Sequence, residues 1–380
     1  MYCISQNPLD KLLGMRYKSL CLETQLHIVE PRIRHFIVVE QPHNIFTSST
    51  KAEAAVYVMV KRNLSTLDAI NLLATFLGIQ RRCISYAGLK DTEATTLQYV
   101  TINLHCIRKK LPKIIKVGTQ TKNLWMRFVG YASTMLKPGL LHGNTFYICV
   151  EGSNIDEIKK FDKQEINLLA YYGYQRFGTR RPNTHTIGIL MLISPSLYIR
   201  ELLFEPYPDE KIDTIESRLR KRPNLDLERR ILQLLNKIRS PQHVRPPFEL
   251  LRLFASALQA YLFNQYINKK IYYYGDVRKR MKGEKWDGAR PLAPVIGEDM
   301  EQSSDAAELY REVLEEETLT FEDLKLFKMY GIKLTTYYRP LFTRTKLSIT
   351  IRRKRAWIIF SLEKGMYATL VLRELGVEEC

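Results

Sequence analysis

The 380-residue chain lacks the sequence features of several large protein classes. No apolar run approaches the ~18 to 20 residues that a membrane-spanning helix needs, and no basic flank followed by an apolar core opens the sequence. The six cysteines are scattered, without zinc-ligand spacing to one another or to a histidine. We therefore expect a soluble, cytoplasmic protein without a membrane partner, a disulfide framework or a structural metal site.

Motifs for nucleotide cofactors are missing as well. The sequence has no P-loop, no dinucleotide-binding glycine fingerprint and no metal-ligand cluster. We expect an activity that needs neither a metal nor an organic cofactor. No segment is dominated by Pro, Gly or Ser, and 45% of the residues are hydrophobic, which predicts a chain folded almost throughout.

The charge is strongly of one sign. The 58 Lys and Arg residues outnumber the 40 Asp and Glu residues, which leaves a formal charge of +18. A surplus of this size attracts polyanions, so nucleic acid is the first partner to consider. Residues 218–222 and 278–285 are basic, whereas 298–323 are strongly acidic and are interpreted as a solvated helical face.

The amino-terminal half combines strands with a helix. Short runs rich in β-branched and aromatic residues predict strands at 36–40, 55–62, 83–88, 97–104, 124–132 and 145–152. Between them, apolar residues at helical spacing predict an amphipathic helix over 67–77. Ser65 and Thr66 are its N-cap candidates, and Gly78 marks its end.

The later segments are mainly helical until the carboxyl terminus. Apolar spacing predicts helices within 154–172, 250–268 and 306–330, and a helix-rich domain that begins after Arg176. Residues 346–362 return to strand character, which indicates that the end of the chain rejoins the first domain. The fold class is therefore α+β, with the helical part as an insertion.

The segment most informative about chemistry is YAGLKDTEATTLQ, residues 86–98, between two predicted strands. Gly88 permits backbone conformations closed to other residues, and Asp91 follows it at the edge of the predicted sheet. Taken alone, Asp91 reads as a cap or turn residue, because Asp favours such places for local hydrogen bonding.

This segment resembles the signature AGLKDxxAxTxQ of the TruD family, which surrounds the catalytic aspartate of that family. The matching positions are Ala87, Gly88, Leu89, Lys90, Asp91, Ala94, Thr96 and Gln98. Further stretches resemble the family in the expected order over nearly the whole chain: 35–40, 60–79, 140–150, 171–188, 257–265 and 360–375.

The resemblance implies a tRNA pseudouridine synthase, an isomerase that most often acts on uridine 13 of the D arm. It implies a catalytic domain, residues 1–180 with 345–380, built on a mixed, largely antiparallel sheet. Residues 181–344 would form an inserted helix-rich domain. By the same resemblance, Asp91 is the catalytic residue, acting either as a nucleophile or as a base on the ribose.

The same comparison with TruD implies the substrate contacts. The target base must leave its stack, and an aromatic side chain offsets part of the lost stacking. Phe146 is the candidate for stacking on uracil, although outside the family context it reads as a core residue. An arginine cluster of Arg176, Arg180 and Arg181 is predicted to hold phosphates, with a solvated cluster as the alternative. The predicted substrate-binding residues are Phe146, Asn144, Phe36, Lys90, Gln98, Arg176 and Arg180.

The chain departs from the family at one basic position. Relatives commonly carry a lysine six residues before the phenylalanine that matches Phe36, and Glu30 stands there instead. Arg32, Arg34 and Lys90 are the candidates to supply the missing positive charge.

Two readings outside the enzyme class stay open at the level of sequence. A non-catalytic RNA-binding or RNA-folding protein would use the same charge and aromatic residues. A structural component of a ribonucleoprotein would use the acidic 298–323 stretch for docking. Within the enzyme class, another tRNA uridine or another small RNA is an alternative substrate.

Overall fold

A computed structural model describes residues 2–43, 52–119, 122–178, 182–194, 198 and 246–378. The chain packs as two compact units. The helical unit comprises Met1–Ser19 and Leu169–Phe342, and the sheet unit comprises Leu20–Leu168 and Thr343–Cys380. These packing units place 1–19 and 169–180 with the helical part, whereas the sequence analysis placed both stretches in the catalytic domain. The predicted domain bounds stay a prediction.

The described helices, in chain order, are α1 Pro8–Leu12, α2 Arg32–His35, α3 Thr66–Leu77, α4 Thr184–Ile193, α5 Phe248–Tyr274, α6 Asp305–Glu316 and α7 Ala368–Glu374. The described strands are β1 Cys3–Ile4, β2 Tyr17–Lys18, β3 Gln25–Ile28, β4 Phe36–Pro42, β5 Ala54–Arg62, β6 Ile84–Tyr86, β7 Thr95–Asn103, β8 Ile114–Gly118, β9 Asn123–Ala132, β10 Leu141–Ser153, β11 Glu165–Leu169, β12 Lys285–Trp286, β13 Pro291–Val295, β14 Tyr337–Pro340, β15 Phe342–Lys346, β16 Ser348–Arg352, β17 Arg355–Glu363 and β18 Val377–Glu378.

One large sheet organises the sheet unit. Its strand order is β16-β17-β10-β4-β7-β5-β9-β8, with β6 paired to β7 and β3 paired to both β10 and β18. The β4–β7 and β3–β18 pairs are parallel, and the other described pairs are antiparallel. The predicted mixed, largely antiparallel sheet is therefore confirmed.

Helix α3 forms where its capping residues predict it. Ser65 accepts a hydrogen bond from Asp68 N, and Gly78 ends the helix in the left-handed conformation at φ 65°. Its buried residues, among them Ile70 and Leu73, join a hydrophobic cluster with Tyr57 and other residues of β5, β7 and β9. This cluster covers one half of a sheet face.

A second hydrophobic cluster covers the other half of the same face. It joins β4, β10 and β17 to helix α7 through Phe36, Phe146, Phe360 and Val371. Cross-strand partners share a face, and the pairing places the two clusters side by side. A polar band lies between them, formed by buried or half-buried residues: Glu40, Lys61, Thr96, Gln98 and Asn144.

Two of the predicted helices are wrong in part. Residues 154–172 contain a single 3₁₀ segment, Ile155–Phe161, followed by β11. The sequence EINLL alternates exposed and buried positions over Glu165–Leu168, which is the strand period. The 306–330 helix is interrupted after Glu316, with Thr318 at a φ of 55°, and resumes as 3₁₀ structure over Asp323–Tyr330.

The expectation of no disulfide is wrong at Cys83 and Cys106. These two cysteines are bonded across a sequence separation of 23. They meet because β6 and β7 pair in antiparallel register, with Ile84 opposite Ile102, so the residues that flank the two strands are neighbours. The bond therefore closes the segment that carries Asp91.

The helical unit is built around α5, a 27-residue helix whose buried side chains include Phe254, Leu258 and Phe263. The sequence placed this helix at 250–268, and the structure confirms and extends it. The described part of the unit also contains helices α1, α4 and α6, the β1–β2 pair, a three-stranded sheet of β12, β13 and β14, and the 3₁₀ segment Asp323–Tyr330. Among the described residues, no helix has the length and apolar content to cross a membrane.

Candidate active site

Asp91 lies in the loop between β6 and β7. Lys61 Nζ donates hydrogen bonds to the backbone oxygens of Asp91 and Lys90, at 2.5 Å and 3.3 Å. The Asp91 carboxylate is half-buried, and its Oδ1 accepts from Glu93 N at 2.9 Å. The backbone of the loop is thus anchored from β5 while the carboxylate reaches the surface of the unit.

Lys61 is a completely buried cation, at 0% exposure. Its pKa is lowered to about 8, mainly by desolvation; the Asp91 charge opposes this shift and the Lys90 charge adds to it. The ammonium has no carboxylate within hydrogen-bonding distance among the described residues, and it uses the two backbone oxygens instead. Its proton is therefore held less firmly than that of a surface lysine.

Lys90 is paired with Glu40 rather than directed at solvent. Its Nζ lies 2.5 Å from Glu40 Oε2, and the side chains are 5% and 1% exposed. The other carboxylate oxygen of Glu40 accepts from Tyr99 N at 3.1 Å. The substrate contact that the sequence assigns to Lys90 stays a prediction, and its observed contact fixes the loop to β4.

Gln98 and Thr66 hold the other side of the same loop. Thr66 Oγ1 accepts from Lys90 N at 2.9 Å and donates to Gln98 Oε1 at 3.2 Å. Gln98 Nε2 in turn donates to Gly88 O at 3.4 Å. Gln98 is completely buried and its observed contacts position the signature loop, while its predicted contact with the substrate stays a prediction.

Asn144, Phe146 and Phe36 lie on the two neighbouring strands. Asn144 is opposite Glu40 in the β4–β10 register. Phe146 is 8% exposed, stacks on Phe360 at a centroid distance of 5.2 Å, and meets Phe36 edge to face at 6.5 Å. The rings form a rigid apolar wall beside the polar band, and the predicted stacking of Phe146 on uracil stays a prediction.

Within the described part of the chain, three buried polar atoms of the band have no hydrogen-bond partner. Glu40 Oε2 is one of them and is ion-paired with Lys90, whereas Asn144 Oδ1 and Thr96 Oγ1 have neither kind of partner. Thr96 pairs with Val38 on one side and with Lys61 on the other, so it lies between the Asp91 anchor and the phenylalanine wall. Unpaired buried polar atoms are uncommon in native structures, so these two positions call for an explanation beyond packing.

Comparison with known proteins identifies the family of the chain. The model of the TruD family, described as tRNA pseudouridine synthase D, matches residues 24–287 and 284–375. The chain belongs to the TruD family. A Methanopyrus kandleri protein named "Probable tRNA pseudouridine synthase D" is 30% identical over 93% of this chain and 90% of its own length. A Methanocaldococcus jannaschii protein of similar name is 31% identical over 84% of each chain.

A solved structure supports the fold. The crystal structure of a Methanosarcina mazei protein assigned to TruD superposes with a TM-score of 0.72 and covers 97% of this chain and 98% of its own. At 22% identity this likeness shows the fold alone. The family match confirms the predicted enzyme class, a pseudouridine synthase of the isomerases, and the α+β TruD fold is confirmed with it.

Arg32, Arg34 and Lys90 are the three candidates for the positive charge missing at Glu30, and the structure places them differently. Arg32 lies with its guanidinium carbon 4.8 Å from the centroid of the Phe36 ring. Arg34 is exposed, and Lys90 is occupied by Glu40. Arg32 is therefore the candidate cation that contacts the phenylalanine wall directly.

The predicted arginine cluster is described only at Arg176, which lies in the helical unit. Its Nη2 donates to Ser256 O on α5 at 3.0 Å, and its guanidinium carbon lies 5.9 Å from the Tyr172 ring centroid. Arg180, Arg181 and the basic run 218–222 lie outside the described residues. Phosphate binding by Arg176 and Arg180 stays a prediction.

Sequence reasoning gave no role in the site to Lys61, Glu40 and Thr66, and it matched Thr96 to the TruD signature without assigning it a contact. Two of them carried a signal: Glu40 and Lys61 are charged residues at the ends of the otherwise apolar runs FIVVE and AVYVMVK. Among the described residues, no group of three His, Cys, Asp or Glu side chains could hold a metal ion.

Proposed function

We propose that the chain converts one uridine of tRNA to pseudouridine and that Asp91 is the essential carboxylate. The resemblance to TruD favours uridine 13 of the D arm as the target. The observation that carries the proposal is the placement of the signature loop. Asp91 is anchored through its backbone by Lys61, next to Asn144 Oδ1 and Thr96 Oγ1, two buried atoms without a partner in the described part of the chain.

The chemistry fits a carboxylate whose backbone is immobile and whose side chain is accessible. The reaction breaks the bond between ribose C1′ and uracil N1, turns the base, and joins C5 to C1′. Asp91 begins the reaction either by attacking the sugar or by removing the C2′ proton. Both routes need the carboxylate ionised and held at a fixed distance from the ribose, which the Lys61 anchor favours.

The polar band suits the edge of a flipped uracil. Uracil offers two carbonyl acceptors and one N–H donor, and a flipped base is read by hydrogen bonds to this edge. The Asn144 amide presents an acceptor and a donor, and Thr96 presents a hydroxyl that does either. Phe36 and Phe146 supply the apolar wall against which the base packs.

Positive charge beside this wall would offset the phosphate of the flipped nucleotide. Arg32 is placed for this role, since it contacts Phe36. Arg176 and Arg180 are proposed to hold phosphates elsewhere on the tRNA. For each phosphate that a substitution leaves without its arginine, the log–log slope of affinity against salt should decrease by about 0.9.

The experiment is position-mapped conversion of uridine in unmodified tRNA, without added cofactor, by the wild-type chain and by Asp91→Asn. The variant keeps the size of the side chain and its capacity to accept from Glu93 N, so it should fold normally. We expect conversion at uridine 13 by the wild type alone. A tRNA with cytidine at position 13 is the matched control and should remain unmodified.

Other outcomes separate the alternatives. Conversion at a different uridine would keep the reaction and reject the assigned position. Conversion by both proteins would reject Asp91. Tight tRNA binding by both proteins with no conversion in a broad tRNA pool would favour the non-catalytic RNA-binding protein.

A further inference from the structure

The hairpin of β16 and β17 has an unusual turn. Arg352 and Arg355 are cross-strand partners, so the turn consists of Arg353 and Lys354 alone. Their φ angles are 48° and 63°, both in the left-handed region. Two-residue hairpins with positive φ at both positions strongly favour Asn-Gly, because a Cβ atom there lies too close to the following carbonyl oxygen, and Gly lacks one while Asn tolerates the conformation. The backbone is strained at the point where two basic side chains project from the hairpin.

The charges on this turn are not neutralised. Arg352, Arg353 and Lys354 are exposed, and within the described residues none of them forms an ion pair. Arg355 differs, since its Nε lies 2.7 Å from Glu151 Oε2. Three adjacent free cations concentrate positive potential on one tip of the sheet unit.

An aromatic surface adjoins the cations. Trp357 is 36% exposed, and its ring centroid lies 6.0 Å from that of His35. Together with Thr350, Glu151 and the arginines at 352, 353 and 355, it lines a concavity of about 720 Å³. The Nδ1 atom of His35 is buried without a hydrogen-bond partner. Proteins that bind single-stranded nucleic acid combine a flat exposed ring, on which a base stacks, with nearby cationic groups such as guanidinium.

This surface is separate from the candidate active site. Arg355 pairs with Glu151 of β10, whereas Asn144 of the polar band lies seven residues earlier on the same strand. At the strand rise of about 3.3 Å per residue, the two places are roughly 23 Å apart. A nucleotide that occupies the polar band cannot reach the hairpin, although another part of the same RNA can.

We propose that the β16–β17 hairpin is a second RNA-binding surface, with the turn on phosphates and Trp357 under an unpaired base distant from the reacting nucleotide. This inference rests on the proposed function, since it takes the substrate to be a folded RNA larger than the active site. It assigns to the hairpin a part in substrate affinity and none in the chemical step.

The test uses the double substitution Arg353→Asn and Lys354→Gly in the full chain. Asn-Gly suits the turn better than Arg-Lys, so the melting temperature should stay equal or rise. The affinity for tRNA should nevertheless fall, and the log–log salt slope should decrease by about 2, because each neutralised phosphate contributes about 0.9. A structural role for the turn would move stability and binding in the same direction.

The matched control is Lys159→Ala with Lys160→Ala, which removes the same charge from two exposed residues of the same unit. It should leave the slope within a few tenths of wild type. Trp357→Ala should weaken binding roughly 5- to 100-fold with little change in slope, since stacking depends weakly on salt. For each hairpin variant, KM for tRNA should rise while kcat stays unchanged.

A short stem-loop that contains the target uridine serves as a second substrate, and it helps to distinguish a failure of this inference from a failure of the proposed function. If wild type converts tRNA and the hairpin variants keep wild-type affinity and slope, this inference is overturned while the proposed function stands. An equal loss in the lysine control, or an equal loss on the short stem-loop, also overturns it. If wild type neither binds nor converts any tRNA, the proposed function fails first.

Discussion

Two buried lysine–glutamate pairs, one in each unit, differ in what surrounds them. Lys270 and Glu284 in the helical unit are 0% exposed and make two contacts at 2.6 Å and 2.7 Å. Tyr266 donates to one oxygen of Glu284 and Met281 N donates to the other. Every carboxylate oxygen of this pair is satisfied within the unit.

The Lys90–Glu40 pair of the sheet unit lies in a less complete network. Among the described residues, its neighbours on the polar band include Asn144 Oδ1 and Thr96 Oγ1, which have no partner, and Lys61, whose ammonium contacts only backbone oxygens. A fully satisfied buried network specifies one packing arrangement, whereas a partly satisfied one is energetically costly. The comparison therefore distinguishes a fully satisfied ion pair from one whose neighbours are only partly satisfied.

The largest expected effect is on the complete pair. Lys270→Met leaves the Glu284 carboxylate buried without its cation and should lower the free energy of unfolding by about 3 to 5 kcal/mol. Under conditions where the variant is folded, tRNA conversion should be close to wild type. Urea unfolding and initial rates measure the two quantities. A normal stability would show that the pair is not structural.

Buried His185 should make the helical unit sensitive to acid. Desolvation lowers its pKa from 6.5 to about 4, while a hydrogen bond to the Leu12 backbone raises it. His185 is therefore protonated below about pH 6.5 in the unfolded chain, but only below about pH 4 in the folded chain. Stability from this group is complete above pH 6.5 and falls by about 3 kcal/mol as the pH drops to 4.

The check is urea unfolding of wild type and His185→Phe across this range. Phe preserves ring packing against Tyr261, whose centroid lies 4.7 Å from that of His185. The variant should lose most of the added acid sensitivity. Identical pH profiles would show that His185 does not titrate as its burial requires.

Lys61 should give the sheet unit a pH dependence of the same sign, but in the alkaline range. Its folded pKa is about 8, below the 10.5 of an unfolded lysine, so the unfolded state binds more protons between these values. The free energy of unfolding should therefore rise with pH in this window, by at most about 3 kcal/mol. The difference between wild type and Lys61→Met isolates this contribution, and a difference that is flat from pH 8 to 10.5 would contradict it.

The smallest expected effect tests the polar band directly. Thr96→Val removes a buried hydroxyl that lacks a partner, so stability should stay equal or rise by up to about 1 kcal/mol. The value of kcat/KM should fall roughly 5- to 30-fold if this hydroxyl completes its hydrogen bond with the substrate.

Thr101→Val on the same strand is the matched control. Thr101 is buried, and its Oγ1 accepts from Leu136 N at 3.0 Å. Its loss should cost about 1 kcal/mol of stability and leave kcat/KM unchanged. Equal effects of the two substitutions on kcat/KM would remove the distinction between a satisfied and an unsatisfied position.

Local signals in the sequence predicted much of the fold. Helix α3 follows from its spacing, from Ser65 and from Gly78, all within one continuous stretch. The 154–172 prediction failed because a short apolar segment fits both the helical and the strand period, and the pairing that decides between them involves distant residues. The cysteines at 83 and 106 were unpaired in the prediction because only the β6–β7 register brings them together.

The sequence predicted the candidate catalytic residue Asp91, but it did not predict the buried residues that hold the Asp91 loop in place. Asp91 stands in a continuous motif, so the family resemblance reached it. The Lys61 anchor joins residues 30 positions apart, and it depends on a sheet register that sequence spacing does not reveal. The resemblance also predicted that Gln98 contacts the substrate. In the structure, the Gln98 side chain forms hydrogen bonds that hold the signature loop.

The Cys83–Cys106 bond has a consequence for proteolysis. Leu89, at the tip of the signature loop, is 66% exposed and lies between the two cysteines. A protease that cuts the chain there would leave both fragments joined by the bond, with β6 still attached to the end of β7. Under oxidising conditions the nicked protein would migrate as one chain, and a reducing agent would release two.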